Sequence, residues 1–369
     1  MKITCEQASL ARGVNIVSKA VPVRSTMPIL ECILIDASTN RITMTGNDME
    51  LGIETVVEGT IEERGIVALD AKFFGELIRK IPDAPVTIET DESWHTTITC
   101  EKTVVRVSGK PGDDFPNIPV VTRNKPVVIS QMGLRDLIRQ TTFAAAINNN
   151  NKLMTGELVE ITDSRLKAVT LDGNRIAIRN VVLGSEADDS SCIVPVKALN
   201  EVGKILDGGA DDLINIYFTE NHVLFDFNDT TVVSRLIDGE YFKIDHMISS
   251  DYVTKMTCNK KALLDCIDRS TIMAREADKK PIVFSLQGQT LSMSIESIYG
   301  VMNEELEVVK EGSDMVIGFN PKFLIDAIRV IDDEEITFYL LNTKSPAMIK
   351  DEEGNYIYVV LPINISTRQ

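Results

Sequence analysis

Two carboxylates sit where chemistry could use them: Asp48 in Gly46-Asn47-Asp48 and Asp172 in Leu171-Asp172-Gly173-Asn174. Placed in an interdomain cleft, either could serve a hydrolase or transferase as acid, base or metal ligand. Turn chemistry accounts for both more simply, since Asp and Asn beside Gly bond to backbone amides two residues on. His95, His222 and His246 have no i, i+4 histidine partner on a helix and no cysteine at ligand spacing, so no metal is expected, and no other cofactor. Gly109–Asp114 (GKPGDD) lacks the G-x-x-x-x-G-K-[ST] spacing that cradles phosphate and reads as a turn. The six cysteines form no C-x-x-C pair and are expected to be reduced and mostly buried. No Ser/His/Asp or Cys/His set announces a nucleophile, and the leading expectation is a non-catalytic chain.

If chemistry is not the purpose, the elements must be. At 369 residues the chain predicts two or three domains. A threefold repeat favours three. Val67–Ile88, Ile193–Ile216 and Val316–Phe338 each read as a strand, a helix opened by a lysine, an acidic turn and a second strand. The lysines Lys72, Lys197 and Lys322 are spaced by 125 residues each time, and Phe74/Leu199/Leu324 and Ile81/Leu206/Ile331 match in type. A second helix recurs around Leu10, Leu134 and Leu263. Period-two apolar runs such as 29–38, 41–48 and 53–62 predict antiparallel strands between the helices. The expected fold is α+β, with domains at 1–123, 124–251 and 252–369, each carrying two helices on antiparallel sheet.

Charge is segregated by element. The chain carries −17, an acidic balance that by itself argues against nucleic acid. The helical segments 8–20, 72–80, 133–142, 197–205, 260–269 and 322–330 nevertheless sum to +8, leaving −25 on everything else. Bases within a helix fall at i, i+4 or i, i+7 in Arg12/Lys19, Arg135/Arg139, Lys197/Lys204 and Lys322/Arg329, and so form one stripe. Solvated ion pairs would explain one such stripe; six in equivalent places predict a shared polyanion. Domains of this size are roughly 35 Å across, and six around a circle leave a hole of about that width, enough for a duplex. The N-terminal residues lack a signal-peptide core and no apolar run is long enough to span a bilayer, which predicts a cytoplasmic protein without membrane partners.

Six motifs taken together carry a resemblance: Arg24–Leu30 (RSTMPIL), Thr45–Glu50 (TGNDME), Asp113–Asn117 (DDFPN), Leu171–Ala177 (LDGNRIA), Ser234–Gly239 (SRLIDG) and Tyr358–Ile363 (YVVLPI). In this order and over the whole chain they resemble the bacterial DNA polymerase III beta subunits, the β sliding clamps. The resemblance implies a head-to-tail homodimer that closes into a six-domain ring around duplex DNA, without sequence preference, and tethers polymerase. It implies DNA contacts from Arg24 and Asn148, joined by the helix positions Lys72, Arg79, Lys80, Arg135, Arg139, Lys197, Lys204, Lys322 and Arg329. It implies a dimer contact in which Val105 and Val107 meet Ile272 and Met273. It also implies a hydrophobic cleft for partner peptides, built from Met154, Leu171, Gly173, Arg175, Ile176, His246, Met247, Val359, Leu361, Pro362 and Ile363. The implied partners are the DNA polymerase III alpha subunit, the clamp loader, and other polymerases and repair proteins bearing clamp-binding peptides. Tyr241-Phe242 and His246 depart from the family's usual aromatic-proline and arginine at these places.

Overall fold

The computed structural model describes residues 1–248, 251–273 and 280–365. The described residues form six α-helices and four antiparallel sheets. The helices are α1 (Gln7–Val17), α2 (Ala71–Lys80), α3 (Gln131–Thr141), α4 (Val196–Ile205), α5 (Lys260–Thr271) and α6 (Pro321–Arg329). They fall within a residue or two of the segments expected from the repeat, except that α1 ends three residues short of its segment, at Val17, where Ser18–Ala20 tightens into a 3-10 turn, and no described helix is long and apolar enough to cross a membrane. The starts are written locally. Asp70 Oδ1 accepts the Phe73 amide at 2.7 Å to cap α2, Asn259 accepts from Ala262 at 3.0 Å on α5, and Asn320 accepts from Lys322 at 3.0 Å before the Pro321 that opens α6. Each helix then buries one face: Phe74 with Ile78, Leu263 with Ile267, and Leu324 with Ile328 are i, i+4 pairs in the core.

Compactness divides the chain into two units, Met1–Met132 with Lys197–Leu236, and Gly133–Val196 with Ile237–Gln369. The first unit holds a five-stranded sheet in the order Thr60–Glu63, Lys2–Glu6, Pro85–Thr90, His95–Cys100, Thr103–Ser108. Its second sheet has nine strands. Five come from the first repeat and end at Leu51–Val57; four come from the middle repeat and begin at Thr230–Arg235. The two sets join with Ile53 opposite Val232, and with Thr55 and Thr230 hydroxyls 2.8 Å apart. In the second unit a nine-stranded sheet repeats the plan in reverse. Four strands of the middle repeat end at Arg175–Val182, which pairs with Tyr356–Val360 of the last repeat, Ile178 opposite Ile357. The remaining sheet has four strands, Gly300–Glu307, Thr290–Ser297, Ile282–Gln287 and Met315–Phe319.

The residues singled out by type match across the repeat also match in burial. Leu10, Leu134 and Leu263 are all buried, as are Phe74, Leu199 and Leu324. Each such side chain contributes roughly 1.5–3 kcal/mol on leaving water. Cys5, Cys32, Cys100, Cys258 and Cys266 are buried thiols and Cys192 is half-buried.

Candidate functional site

The second unit positions an apolar cavity at the end of its nine-stranded sheet. Strand Arg165–Leu171 turns at Asp172-Gly173-Asn174 into Arg175–Val182. Gly173 takes φ +89°, and Asp172 Oδ1 accepts the Asn174 amide at 2.9 Å, so this aspartate is committed to the turn. The Leu361 amide donates to Asn174 O at 2.9 Å and ties the C-terminal strand to the same corner. The cavity, about 270 Å³, is walled by Met154, Leu171, Gly173, Asn174, Arg175, Ile176, Phe242, Ile244, Met247, Pro346, Val359 and Leu361. Met154 arrives on the short turn Lys152–Thr155, capped by Asn151, and Met247 on Asp245–Met247. Both methionines and Leu361 are free to adjust at the rim, Met247 being 46% and Leu361 42% exposed.

Arg175 closes the back of this cavity and is itself 8% exposed. Its Nε donates to Asp172 at 2.9 Å, Nη1 to Asp326 on α6 at 2.8 Å, and Nη2 to the Phe143 carbonyl at 2.8 Å. The guanidinium lies 4.5 Å from the Phe323 ring centroid and 5.6 Å from that of Phe143. Burial opposes its charge, but Tyr358, Asp326 and Asp172 together outweigh burial and hold it protonated. All three nitrogens are occupied within the protein. What the cavity offers a visitor is therefore apolar surface with a fixed back wall and an adaptable rim, suited to aliphatic or aromatic side chains of an extended segment.

Eight of the eleven residues expected at a peptide cleft line this one cavity. Pro362 and Ile363 lie past its wall, where the Ile363 amide donates to Gly318 O at 2.8 Å, and the His246 side chain lies outside the described residues. Asn174, Phe242, Ile244 and Pro346 line the cavity without having been expected to. The spacing of Phe242, Ile244 and Met247 is a signal that could have found three of the walls; Pro346 has no local signature.

The expected phosphate contacts are not alike. Arg24, Lys72, Arg79, Lys80 and Asn148 are exposed. Lys19, Lys72 and Arg79 border a groove of about 510 Å³ between α1 and α2, floored by Val14 and Ile78. Elsewhere acids answer the bases. Lys197 Nζ meets Asp48 at 2.7 Å, Lys204 meets Glu201 at 2.8 Å, and Arg329 meets Asp268 at 3.1 Å. Arg139 is held by Asp136 at 3.1 Å and Asp332 at 2.7 Å, and also donates to the Val330 carbonyl at 3.0 Å. Arg135 is half-buried on α3, and Lys322 is exposed on α6. Val105 and Val107 stand half-buried on the outer strand Thr103–Ser108, Ile272 is 78% exposed just past α5, and Met273 is half-buried. No group of three or more His, Cys, Asp or Glu suited to a metal occurs among the described residues.

Comparison with known proteins accounts for this architecture along its whole length. Residues 1–119, 128–243 and 245–364 match, in turn, the N-terminal, central and C-terminal domains of the DNA polymerase III beta subunit. The chain belongs to the DNA polymerase III beta subunit family. The beta sliding clamp of Staphylococcus epidermidis is 31% identical over 374 residues, covering 98% of this chain and 99% of the relative. A crystal structure of a putative DNA polymerase III beta subunit from Eubacterium rectale superposes with a TM-score of 0.96 at 57% identity, covering 99% of this chain and all of that one. The DNA polymerase sliding clamp of Bacillus subtilis gives 0.95 at 31% identity, with 99% of each chain covered. A beta subunit is an accessory chain of DNA polymerase III and not an enzyme. It is a processivity factor.

Proposed function

We propose that two of these chains close head to tail into a ring around duplex DNA, with modules at 1–123, 124–251 and 252–369, and that the apolar cavity receives extended peptides of replication partners. One observation carries the ring. One nine-stranded sheet joins five strands of the first repeat edge to edge with four of the middle one, the other joins four of the middle with five of the last, and the two sheets left over have five strands and four. Their outer strands, Thr103–Ser108 and Gly300–Glu307, present unpaired edges that invite another strand. A second chain supplies each edge with its complement, and Val105, Val107, Ile272 and Met273 would pack beside that junction.

DNA would then be held by enclosure. Contacts from Arg24, Asn148 and the exposed helix lysines need only be weak and independent of sequence, and the acidic remainder would keep DNA from outer surfaces. The partners of the cavity would be the alpha subunit, the clamp loader, and other polymerases and repair proteins, all in the cytoplasm. The test is mass and topology together. Two chains of 40.9 kDa give about 81.8 kDa in solution, and loader-assembled protein should stay on circular DNA and run off the same DNA once it is linearised. A strict monomer at micromolar concentration, or equal loss from both DNAs, overturns the ring. For the cavity, a labelled hexapeptide with leucine and phenylalanine side chains should bind the intact protein and not Leu171→Asp.

A further inference from the structure

Behind the cavity the second unit buries an acid that no cation answers. Glu157 stands on strand Gly156–Thr162 opposite Val194, with no exposed surface. Its Oε2 lies 2.8 Å from Oγ1 of Thr141, the last residue of α3, and its Oε1 has no partner. Thr141 Oγ1 is also 2.7 Å from the Leu137 carbonyl oxygen. A hydroxyl has one proton, and a carbonyl can only accept. With the Thr141 hydroxyl donating to Leu137 O, the proton between Thr141 and Glu157 is the carboxyl's own. The opposite arrangement would leave a carboxylate, half of it unbonded, in an apolar interior.

The surroundings agree. Thr141 from α3, Val194 from the neighbouring strand and Tyr241 face this acid, and among the described residues no charged side chain does. Tyr241, the one titratable neighbour, is neutral as well, since burial pushes its hydroxyl up. Burial pushes the Glu157 carboxyl up to about 8, against a small pull down from Thr141.

Thr141 and Gly156 both lead to cavity walls. Two residues past Thr141, the Phe143 carbonyl accepts a hydrogen bond from Arg175 Nη2 at 2.8 Å. Thr170, next to the wall residue Leu171, donates to the Thr141 carbonyl at 2.5 Å. The Gly156 carbonyl accepts from Tyr241 at 3.3 Å, and the Tyr241 ring meets Phe242 edge-on at 5.5 Å.

We propose that Glu157, as a neutral carboxylic acid, is a positioning residue for the cavity: its proton clamps Thr141 and, through Phe143 and the Tyr241–Phe242 pair, fixes Arg175 and Phe242. This rests on the reading of the cavity as a peptide cleft. When the proton leaves, Thr141 must turn its own proton to the carboxylate and release Leu137 O, and the cavity loses its rear support. A raised acid also makes folding bind a proton. Stability relative to a variant that cannot ionise should therefore fall as pH rises from about 4.5 to about 8, by about tenfold in the folding equilibrium per pH unit.

The experiment uses the full chain and Glu157→Gln, whose amide can still donate to Thr141. Infrared spectra at pH 7 should show the carbonyl band of a protonated acid that E157Q lacks, and that fades through about pH 8. The labelled hexapeptide should bind the wild type several-fold more weakly at pH 9 than at pH 7, and E157Q equally at both. Absence of the band at pH 7, or parallel pH profiles for the two proteins with binding intact, overturns the proposal alone. Failure of both proteins to bind at pH 7 with the band present overturns the cleft reading, and the positioning role falls with it. If E157Q does not fold, Thr141→Val removes the acceptor in nearly the same shape. It should shift the band and weaken the peptide at pH 7, and unchanged binding overturns the proposal.

Discussion

Replacing Arg175 by alanine should be among the most damaging single changes in the second unit. The side chain makes three charge-assisted hydrogen bonds at 2.8–2.9 Å and fills the space between two phenylalanine rings. Removing one partner of a buried ion pair costs about 3–5 kcal/mol, chiefly because the other charge is stranded. Here the stranded groups keep some water, with Asp172 15% and Asp326 26% exposed, so the lower end, about 3 kcal/mol, is expected. For a unit of roughly 200 residues that corresponds to a fall in melting temperature of about 6–12 °C. Asp326→Asn, which keeps an acceptor near Nη1, should cost about 1 kcal/mol. Calorimetry is the right assay, since the single tryptophan, Trp94, lies in the first unit. A double-mutant cycle with Asp326→Ala should return a coupling of about 1–2 kcal/mol. A loss below about 1 kcal/mol for Arg175→Ala, or no coupling, would refute the idea that this arginine holds the strand corner to α6.

Other sites give sharper contrasts. Gly46→Ala places a methyl against the Val17 carbonyl at the end of α1 and should cost the first unit about 2–3 kcal/mol in urea unfolding followed by Trp94 emission. Lys72→Glu should weaken retention on DNA and lower its salt slope by about one unit, while Lys197→Glu, already answered by Asp48, should do so less; equal effects would show that the ion pair is irrelevant to DNA. The Arg269 hydrogen bond holds the Glu304 carboxyl below its ordinary value. Its contribution is therefore complete above about pH 4.5 and lost as pH falls through the folded-state value, so Glu304→Gln should flatten the acid limb of the second unit's stability curve.

The sequence already disclosed what local rules govern. Lysines at a constant spacing of 125 residues, with matched apolar partners, located the helices, because helical period and caps are written within a few residues. Leu171, Arg175 and Ile176 were reachable through Leu171–Ala177, and Val359 and Leu361 through Tyr358–Ile363. What local rules do not govern stayed hidden. Which strand edges join is a long-range matter, and nothing near Leu51–Val57 indicates that its neighbour is Thr230–Arg235. Net charge on a helix says nothing about acids brought from elsewhere, which is why Arg139 and Lys197 looked as free as Lys72 until Asp332 and Asp48 were placed beside them. Glu157 did carry a signal, sharing period two with the buried Val159 and Ile161. Alternation alone, however, cannot say whether an acid on that face is ionised.

The seam at Ile53 and Val232 has a corollary for how the molecule could be divided. Cutting the backbone between residues 123 and 127 severs a linker but leaves the antiparallel zipper across the cut intact. Two separately expressed pieces, 1–123 and 124–369, should therefore find each other and reassemble, as split proteins do. A covalent tether only raises the local concentration of one edge near the other. In the proposed ring, the seams without a tether are the ones that dilution can part.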